Sequence, residues 1–354
     1  MNPVSTNIAA LSEGTVVVTG ASGFLGMRLA SALLASVECR VRLFVRNPTP
    51  GAPIERLVLQ SSGRLELVSG DLLSKADCGR AMEGASVVLH LAAGIDKSFA
   101  GAFMNSVLTT RNLVEAFLEQ PTRRRFVSVS SFAVYSTIDL PAGSVIDENC
   151  PLENRHHEKG DAYGFGKRKQ DELIEDYGRQ RSLPYVIVRP GSIFGPGKSG
   201  LSGRVGIDTF GRFIQISGRN ILPLTYVDNC ADAILCAASA PGVEGEVFNV
   251  VDDDLPPAAR FFQAYRRRTG ARRAWRIPYS VAYTLSYFWE TYSRISDGQL
   301  PPAFNRRRCS SEWKRHRYSN AKLKERTGWR PRVSMPEAEQ RFLAQFDSSA
   351  PRSS

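Results

Sequence analysis

A tyrosine and a lysine that stand four residues apart could form an acid–base pair. They are Tyr163 and Lys167, in the stretch DAYGFGKRKQD at residues 161–171. Side chains at this spacing share one face of a helix. A free phenol has a pKa of about 10, too high for an efficient base near neutral pH. An ammonium group one turn away would stabilise the phenolate and lower that pKa. The same spacing also occurs on ordinary helix surfaces, so the surrounding elements must decide.

Three glycines follow the first apolar run of the chain. Gly20, Gly23 and Gly26 stand in VVVTGASGFLG, between a predicted strand and a predicted helix. Glycine permits a tight turn close to a pyrophosphate, whose charge is met by N–H groups at the helix N-terminus. This setting predicts a dinucleotide-binding loop. The alternative is that the glycines only allow helix and sheet to pack closely. The remaining predicted members of the loop are Ser22, Phe24 and Leu25.

An arginine ends the second apolar run, LFVRNP, twenty residues after Gly26. Dinucleotide-binding folds place an acidic residue there to bind a ribose 2′-hydroxyl, whereas a 2′-phosphate requires a cation. Arg46 occupies the position, and its planar fork of donors suits a phosphate. The sequence therefore predicts NADP(H) as the preferred cofactor, with NAD(H) possible. In the alternative interpretation, Arg46 stacks on the adenine and does not sense the phosphate.

Short apolar runs alternate with helical stretches from residue 15 to about residue 190. This alternation predicts an α/β fold, a Rossmann doubly wound parallel sheet, with a smaller mixed C-terminal substrate domain. We assign residues 12–190 plus 226–251 to the NADP-binding domain, 191–225 plus 252–345 to the substrate-binding domain, and 346–354 to a disordered tail. The runs predicted to be strands are TVVVTG, VRLFVR, LELVSGD, SVVLHLAA, RFVSVSS, YVIVRP and, near residue 250, VFNVV.

The composition, with 42% hydrophobic and 23% charged residues in a chain of 354, is that of a soluble globular protein. The formal charge of +11 is concentrated in RRRTGARR (266–273), RRR (306–308) and WKRHR (313–317). These clusters suit a solvated basic face, an acidic ligand or an anionic surface, and nucleic acid is not predicted. Six scattered cysteines lack metal-ligand spacing, so no metal site or disulfide is predicted and a cytoplasmic location is favoured. No signal peptide or membrane span is indicated.

One aromatic segment, IPYSVAYTLSYFWETYSRI at 277–295, is a helix candidate. It is too short to span a bilayer but could lie on one, so peripheral membrane contact is possible. Apolar positions at helical spacing more often form core or the wall of a ligand pocket.

Eight motifs stand in the order and rough spacing of the extended short-chain dehydrogenase/reductase family. They run from about residue 14 to 251, and a weaker match, RYSNAKLKERTGWRPRVS, follows at 317–334. The chain therefore resembles this family, including its 3β-hydroxysteroid dehydrogenase, dihydroflavonol reductase and epimerase/dehydratase members. The motifs are TGASGFLG, GDL (70–72), HLAA (90–93), Asn105, SVSSFAVY (128–135), YGFGK (163–167), RPGSIFGPG (189–197) and YVDNCADA (226–233).

The resemblance implies a role for each matching residue. Tyr163 would be the catalytic acid/base, Lys167 would also bind the nicotinamide ribose, and Ser131 would hold the substrate oxygen. Asn105 matches a helical residue near the site, although a helix N-cap is an alternative. His90 is expected in the core, and His156 and His157 in a solvated loop. The other implied cofactor contacts are Asp71, Leu72, Ala92, Ala93, Pro190, Gly191, Ser192 and Ile193.

Three interpretations of the function compete. The favoured one moves a hydride between NADP(H) and a secondary alcohol or ketone of a bulky small-molecule substrate. The alternative is a nucleotide-sugar or lipid-linked sugar epimerase with tightly bound NAD(P). A non-catalytic nucleotide sensor is disfavoured, because it would not need the serine, tyrosine and lysine. Phe132 and Ala133 stand where the family's sugar dehydratases have an Asp-Glu pair, and Leu224 and Thr225 where many sugar-nucleotide enzymes have an arginine. The family also implies a homodimer through the helices of Tyr163 and Asn105.

Overall fold

Seven parallel strands form the central sheet, and they are the seven predicted from apolar runs. The computed structural model describes residues 11, 13–48, 50–94, 96–198, 200–209, 212–270, 274–296, 299 and 304–347. In chain order its strands are β1 (Thr15–Thr19), β2 (Arg40–Val45), β3 (Leu65–Ser69), β4 (Ala85–His90), β5 (Arg125–Val129), β6 (Val145–Ile146), β7 (Tyr185–Pro190), β8 (Ser192–Phe194), β9 (Ile207–Thr209), β10 (Arg212–Ile216), β11 (Leu224–Tyr226), β12 (Val247–Val250), β13 (Trp275–Ile277) and β14 (Arg317–Tyr318). The sheet order is β12-β7-β5-β4-β1-β2-β3.

Helices connect these strands, as parallel pairing requires. In chain order they are α1 (Phe24–Ser36), α2 (Pro53–Leu59), α3 (Lys75–Met82), α4 (Phe99–Ala102), α5 (Thr109–Leu118), α6 (His156–Lys159), α7 (Ala162–Arg181), α8 (Val227–Ser239), α9 (Ala258–Thr269), α10 (Tyr279–Ile295), α11 (Arg306–Trp313), α12 (Ala321–Thr327) and α13 (Met335–Ala344). A π-helical segment, Phe103–Leu108, joins α4 to α5, and Phe132–Val134 form a single 3₁₀ turn.

The sheet is buried on both faces, which explains why its strands read as continuous apolar runs. In β1, Val16 and Val18 face one core and Val17 faces the other. Helices α1 and α8 supply the first core, for example through Leu29 and Ile234. Helices α3, α5 and α7 supply the second core. The carboxyl ends of the strands are therefore held at one rigid edge, where such sheets bind ligands.

The chain leaves the sheet after β7 and returns to it once. Strands β8 and β11 pair in parallel, β9, β10 and β13 form a small separate sheet, and β12 then pairs with β7 at the edge of the main sheet. Near the C-terminus, Phe346 lies against Phe342, with ring centroids 5.5 Å apart. Residues 348–354, which belong to the predicted tail, lie outside the described residues. Among the described helices, none combines the length and apolar character needed to cross a membrane.

Candidate active site

The glycine loop connects the end of β1 to α1 through backbone that only glycine fits. Gly20 has φ of +68°, and a Cβ there would lie 2.9 Å from the backbone nitrogen of Ala92. A Cβ at Gly26 would lie 2.2 Å from the carbonyl oxygen of Gly20. Gly23 is the N-cap of α1, whose first turn contains no acidic residue. The N–H groups of that turn are therefore available to an anion.

A cleft of about 310 Å³ runs along this loop and over the ends of β2 and β4. The carboxylate of Asp71 accepts the backbone N–H of Leu73 at 2.9 Å. Arg46 is exposed at the end of β2. The sequence-predicted residues that line this cleft are Gly20, Ser22, Gly23, Arg46, Asp71, Leu72, Ala92, Ala93 and Asn105. Sequence reasoning missed Phe44, Val45, Gly70, Leu73, Leu91, Gly94 and Thr109.

A second cleft, of about 580 Å³, shares Gly20, Gly23 and Ala93 with the first. Every residue that was predicted for the site from the sequence lines one or both of these two clefts. Residues that follow β4 and β7 form the other wall of the second cleft. The predicted residues that line it are Gly20, Gly23, Phe24, Leu25, Gly26, Ala93, Ser131, Tyr163, Lys167, Pro190, Gly191, Ser192 and Ile193, and sequence reasoning missed Leu91, Val129, Ser130 and Lys198.

Ser131 and Tyr163 meet at the edge of the sheet. Ser131 follows β5, caps the 3₁₀ turn through the backbone N–H of Ala133, and lines the larger cleft together with Tyr163. Tyr163 lies in the first turn of α7, whose N-cap is Asp161; the Asp161 carboxylate accepts the N–H of Gly164 at 2.8 Å. Burial raises the pKa of Tyr163, and the neighbouring hydroxyl of Ser131 opposes that rise. The phenol is therefore protonated near neutral pH.

The expectation that Lys167 lowers the pKa of Tyr163 is not met, because that pKa is raised. The ammonium group is buried and donates to the carbonyl of Val129 at 2.6 Å and to Oε1 of Gln170 at 2.9 Å. Burial lowers the pKa of Lys167 to about 8, while Asp171 opposes the shift. A lysine in this setting can hold or release a proton close to physiological pH.

A buried hydrogen-bonded chain extends from Lys167 into the sheet. Nε2 of Gln170 donates to Oγ1 of Thr110 at 2.7 Å, and Nε2 of His90 lies 2.8 Å from the same oxygen. Thr110 gives its own proton to the carbonyl of Ser106, so it must accept from His90. Nδ1 of His90 then accepts from Thr19 at 2.7 Å.

This arrangement requires a neutral histidine, and burial lowers the pKa of His90 to about 3. The ring is fully buried in β4, as the sequence predicted. Sequence reasoning did not connect His90 to the lysine, because Gln170 and Thr110 belong to no motif.

A buried ion pair lies beneath the Ser–Tyr pair. Arg189 in β7 and Asp171 in α7 approach to 3.0 Å, and both side chains are almost fully buried. Ser130 donates to the same carboxylate oxygen at 2.9 Å, and Arg189 also donates to the hydroxyl of Tyr135. Removing one member of such a pair would leave a buried charge uncompensated. The network therefore fixes α7, and with it Tyr163, against the sheet. No motif indicated it.

Asn105 lies in the π-helical segment, so the N-cap alternative is wrong: the helix begins at Phe99, and Ser98 caps it through the N–H of Gly101. The side chain of Asn105 packs against Gly94, where an added Cβ would lie 2.4 Å from its own. It therefore closes the cleft beside the end of β4.

The prediction of a solvated loop is wrong for His156, which is buried. His157 is exposed as predicted, but both residues begin helix α6 instead of lying in a loop. His156 is buried, and burial lowers its pKa to about 4. His157 stacks against Phe99, with ring centroids 4.1 Å apart. The polar sequence around the two histidines did not indicate this packing, because the rings that contact them, Phe99 and Phe165, belong to other helices.

A third cavity, of about 330 Å³, adjoins Tyr163 on the side away from the glycine loop. It is polar and contains two ion pairs, Lys159–Asp161 at 2.9 Å and Arg308–Glu312 at 3.0 Å. Arg204 also lines it and donates to the carbonyl of Ser311. The cavity thus places two arginines on the far side of the tyrosine. Arg212, by contrast, lies over the ring of Trp275, with its guanidinium carbon 4.6 Å from the ring centroid.

The sheet, the glycine loop and the Ser–Tyr–Lys set define an NAD-dependent enzyme of the extended short-chain dehydrogenase/reductase type. The chain belongs to the NAD dependent epimerase/dehydratase family, whose model matches residues 16–250. The resemblance inferred from the eight motifs is thereby confirmed.

Similar proteins include two enzymes named for steroid or sterol substrates. The 3β-hydroxysteroid-dehydrogenase/decarboxylase isoform 1 of Arabidopsis thaliana is 27% identical to this chain. The matched region covers 95% of this chain and 80% of that protein. The decarboxylating sterol-4-alpha-carboxylate 3-dehydrogenase of Mus musculus is 25% identical, with 97% of this chain and 93% of that protein covered. A UDP-glucuronic acid 4-epimerase from Bacillus cereus, solved with NAD, has a TM-score of 0.69 at 19% identity, covering 95% of this chain and 100% of that one. The last comparison shows a shared fold.

Proposed function

We propose that the chain is an NAD(P)-dependent oxidoreductase that moves a hydride between its cofactor and a secondary alcohol or ketone of a bulky substrate. The observation that carries this proposal is the placement of Ser131 and Tyr163 together in the wall of the larger cleft, which the glycine loop also lines. Two hydroxyl groups on rigid elements can hold one substrate oxygen and exchange a proton with it. Phe132 and Ala133 follow the serine, so the Asp-Glu pair that the family's sugar dehydratases carry at those two positions is not present there.

The clefts fit a dinucleotide. The glycine loop and the first turn of α1 would bind the pyrophosphate, Asp71 and Leu72 the adenosine, and Lys167 with Pro190–Ile193 the nicotinamide end. When bound, the cofactor would supply the hydride or accept it. The steric evidence for this fit is the backbone of Gly20 and Gly26, where any side chain would close the loop.

The protein's own residues handle the proton. Ser131 would hold the substrate oxygen, and Tyr163 would donate its phenolic proton to that oxygen in reduction or take one in oxidation. Since burial raises the pKa of Tyr163, the resting phenol favours donation and therefore ketone reduction. Lys167, with a pKa of about 8, would then replace the proton from the buried side. Oxidation should become faster as the pH rises.

The substrate class is proposed from the third cavity and from the relatives. Arg204 and Arg308 line the cavity that Tyr163 also lines; Arg308 is paired with Glu312, whereas Arg204 bonds a backbone carbonyl, so an anionic group near the reacting oxygen would meet the guanidinium of Arg204. The mouse relative is named for a sterol carboxylate. We therefore propose a polycyclic or similarly bulky alcohol that carries a carboxylate or another acidic group. The substrate-binding region would be 191–225 plus 252–345, and the cofactor-binding region 12–190 plus 226–251.

The decisive experiment combines cofactor analysis with turnover. The purified protein is denatured and its released cofactor identified, and the native protein is then assayed with NADP⁺ and a 3β-hydroxysteroid with or without a 4-carboxylate. The proposal expects one NADPH formed for each alcohol oxidised, with the carboxylated substrate preferred. Tightly retained NAD⁺, no net cofactor change and interconversion of UDP-sugars would establish the epimerase alternative instead.

Arg46 supports a preference for NADP(H). Its guanidinium is exposed at the end of β2, and within the described ranges it makes no ion pair with a carboxylate. Its carbonyl oxygen is held by the hydroxyl of Ser69 at 3.2 Å, which fixes the backbone from which the side chain reaches into the cleft. A 2′-phosphate bound there would gain a bidentate partner.

We also propose that the protein is a homodimer and that it works in a reducing, cytoplasmic compartment. Phe103 and Met104 expose 38% and 47% of their surfaces on the π-helical segment, beside the helix that carries Tyr163. These side chains could pair two copies. The cysteines are free thiols, and five of the six are buried, which suits a reducing compartment. Light scattering of the parent and of Met104→Glu tests the dimer, which the charge should dissociate.

A further inference from the structure

Helix α10 turns its largest apolar side chains away from the protein. Five of them stand at helical spacing on one face, which we call the outward stripe: Val281, Leu285, Phe288, Tyr292 and Ile295. They expose 46%, 50%, 62%, 60% and 73% of their surfaces. The buried side chains of the same helix are small, namely Ala282, Ser286 and Ser293. An ordinary surface helix has the opposite arrangement.

This orientation is fixed by specific contacts with α11. Glu290 pairs with Arg306 at 2.6 Å, and the guanidinium of Arg306 also lies over the ring of Tyr287, 4.9 Å from its centroid. Ala282 of α10 shares a buried cluster with Cys309 and Trp313 of α11. Rotating the helix to bury the stripe would break these contacts and expose the small residues. The sequence therefore specifies an outward apolar face.

The surroundings of the stripe are cationic. The only acidic residue in α10 is Glu290, which is already paired with Arg306. Arg294 is exposed in the last turn, and exposed Arg276 lies just before the helix. Trp275, also exposed, lies under the guanidinium of Arg212. Aromatic side chains with polar edges and flanking arginines are the composition that suits a membrane–water interface.

We propose that α10 lies flat on a membrane that contains anionic lipid, with the outward stripe in the boundary between headgroups and acyl chains. The helix has 17 residues and is about 25 Å long, which suits a helix parallel to the surface. Arg276 and Arg294 would meet anionic headgroups. A second copy of the chain is less suitable, because pairing two identical stripes would bring their cationic borders together.

The same geometry connects the membrane with the third cavity. Helix α11 packs on α10 through Arg306 and Cys309, and it presents Arg308, Ser311 and Glu312 to the cavity beside Tyr163. A lipid-soluble substrate would therefore leave the membrane one helix away from the tyrosine. This last step depends on the proposed function, whereas the docking of α10 does not.

Vesicle flotation of the full chain tests the docking. Phosphatidylcholine vesicles with and without phosphatidylglycerol are compared, and the expected result is binding that requires the anionic lipid and weakens with salt. Phe288→Glu should reduce the partition coefficient about tenfold or more, since a phenyl ring leaves the apolar phase and a charge would have to enter it. Arg294→Gln should weaken binding only to the anionic vesicles. Leu59→Glu, at a site that is 84% exposed on α2, is the matched control and should bind like the parent.

Binding that persists in Phe288→Glu, or that Leu59→Glu loses equally, would overturn the proposal. So would absence of binding to every vesicle. If light scattering instead shows a dimer that Phe288→Glu dissociates, the stripe is a protein interface. Cofactor binding and turnover of a water-soluble ketone by Phe288→Glu are measured in parallel. Lost docking with retained turnover separates this proposal from the proposed function.

Discussion

The side-chain amide of Gln170 accepts a hydrogen bond from the ammonium group of Lys167 at 2.9 Å, and its N–H donates a hydrogen bond to Oγ1 of Thr110 at 2.7 Å. Gln170 is fully buried, one turn from Lys167 on α7. The lysine is thus held by the protein interior as well as by the carbonyl of Val129. Its charge should therefore respond to changes at Gln170.

Replacing Gln170 by glutamate should raise the pKa of Lys167 from about 8, because a carboxylate stabilises the ammonium form. The alkaline limb of the pH profile of kcat/KM, if it reports Lys167, should move to higher pH. Gln170→Leu should move it to lower pH, because the lysine loses an acceptor. If the alkaline limb of kcat/KM lies at the same pH in the parent and in both variants, with folding confirmed by circular dichroism, a positioning role for Gln170 is contradicted.

Tyr163→Phe should lower kcat by about 100-fold or more while leaving cofactor affinity close to that of the parent, because only the proton donor is lost. Steady-state kinetics and fluorescence titration with NADPH measure the two quantities. Tyr177→Phe is the matched control, since this tyrosine lies on the same helix and bonds to Glu115 at 2.9 Å. Full activity in a folded, cofactor-binding Tyr163→Phe would end the proposed mechanism.

Arg46→Ala should lower kcat/KM for NADPH about tenfold or more, since a charge-assisted hydrogen bond to phosphate is lost. The value for NADH should change little. Arg40→Ala, at the opposite end of the same strand and also exposed, provides the comparison. Equal losses with both cofactors, or a parent enzyme that strongly prefers NADH, would refute the proposed cofactor preference.

Gly26→Ala should destabilise the protein by about 1–3 kcal/mol and weaken cofactor binding, because the added methyl would lie 2.2 Å from the carbonyl oxygen of Gly20. Gly79→Ala, inside helix α3 with no atom within 4 Å of the new Cβ, should instead add about 0.5–1 kcal/mol. Thermal unfolding measures both. Similar changes in the two variants would argue against a steric requirement in the loop.

His156 should make the folding stability of the protein sensitive to acid pH. Burial lowers its pKa to about 4 from the usual 6.5, so between these values the unfolded chain binds the extra proton and folding stability falls as the pH falls. His156→Phe should remove that part of the pH dependence, and it should gain stability relative to the parent between pH 7 and pH 5. His157→Phe, on the exposed side of the same turn, controls for exchanging an imidazole for a phenyl ring. A stability difference that does not vary with pH would show that His156 is not responsible.

The glycine loop, the seven strands and the Tyr163–Lys167 pair could be inferred from the sequence because their signals are local, whereas Ser131 was assigned through the family resemblance. Gly20 and Gly26 reveal their role within one strand–loop–helix unit, and Tyr163 and Lys167 lie within one turn. The chain from Lys167 to His90 could not be inferred, since it joins residues of β1, β4, α5 and α7 that meet only in the folded state.

Helix α10 shows a different limit of sequence reasoning. Its helical character was evident, but large apolar residues occupy most of its positions, so the pattern does not reveal which side faces out. The orientation follows from the ion pair of Glu290 with Arg306 and from the packing of Ala282 against Cys309 and Trp313 of α11. Similarly, the polar letters around His156 indicated a solvated loop because Phe165, which packs on it, belongs to the next helix.

Strand β12 also determines when the fold can be completed during synthesis. It provides the outer neighbour of β7, and its Asn249 accepts a bond from Tyr135 at 2.7 Å. Until residue 250 has left the ribosome, β7 is an unprotected sheet edge and the hydroxyl of Tyr135 lacks this partner. The main sheet, although it includes β1, can therefore be completed only after residue 250 has been translated. Nascent chains arrested before β12 should require a chaperone to remain soluble.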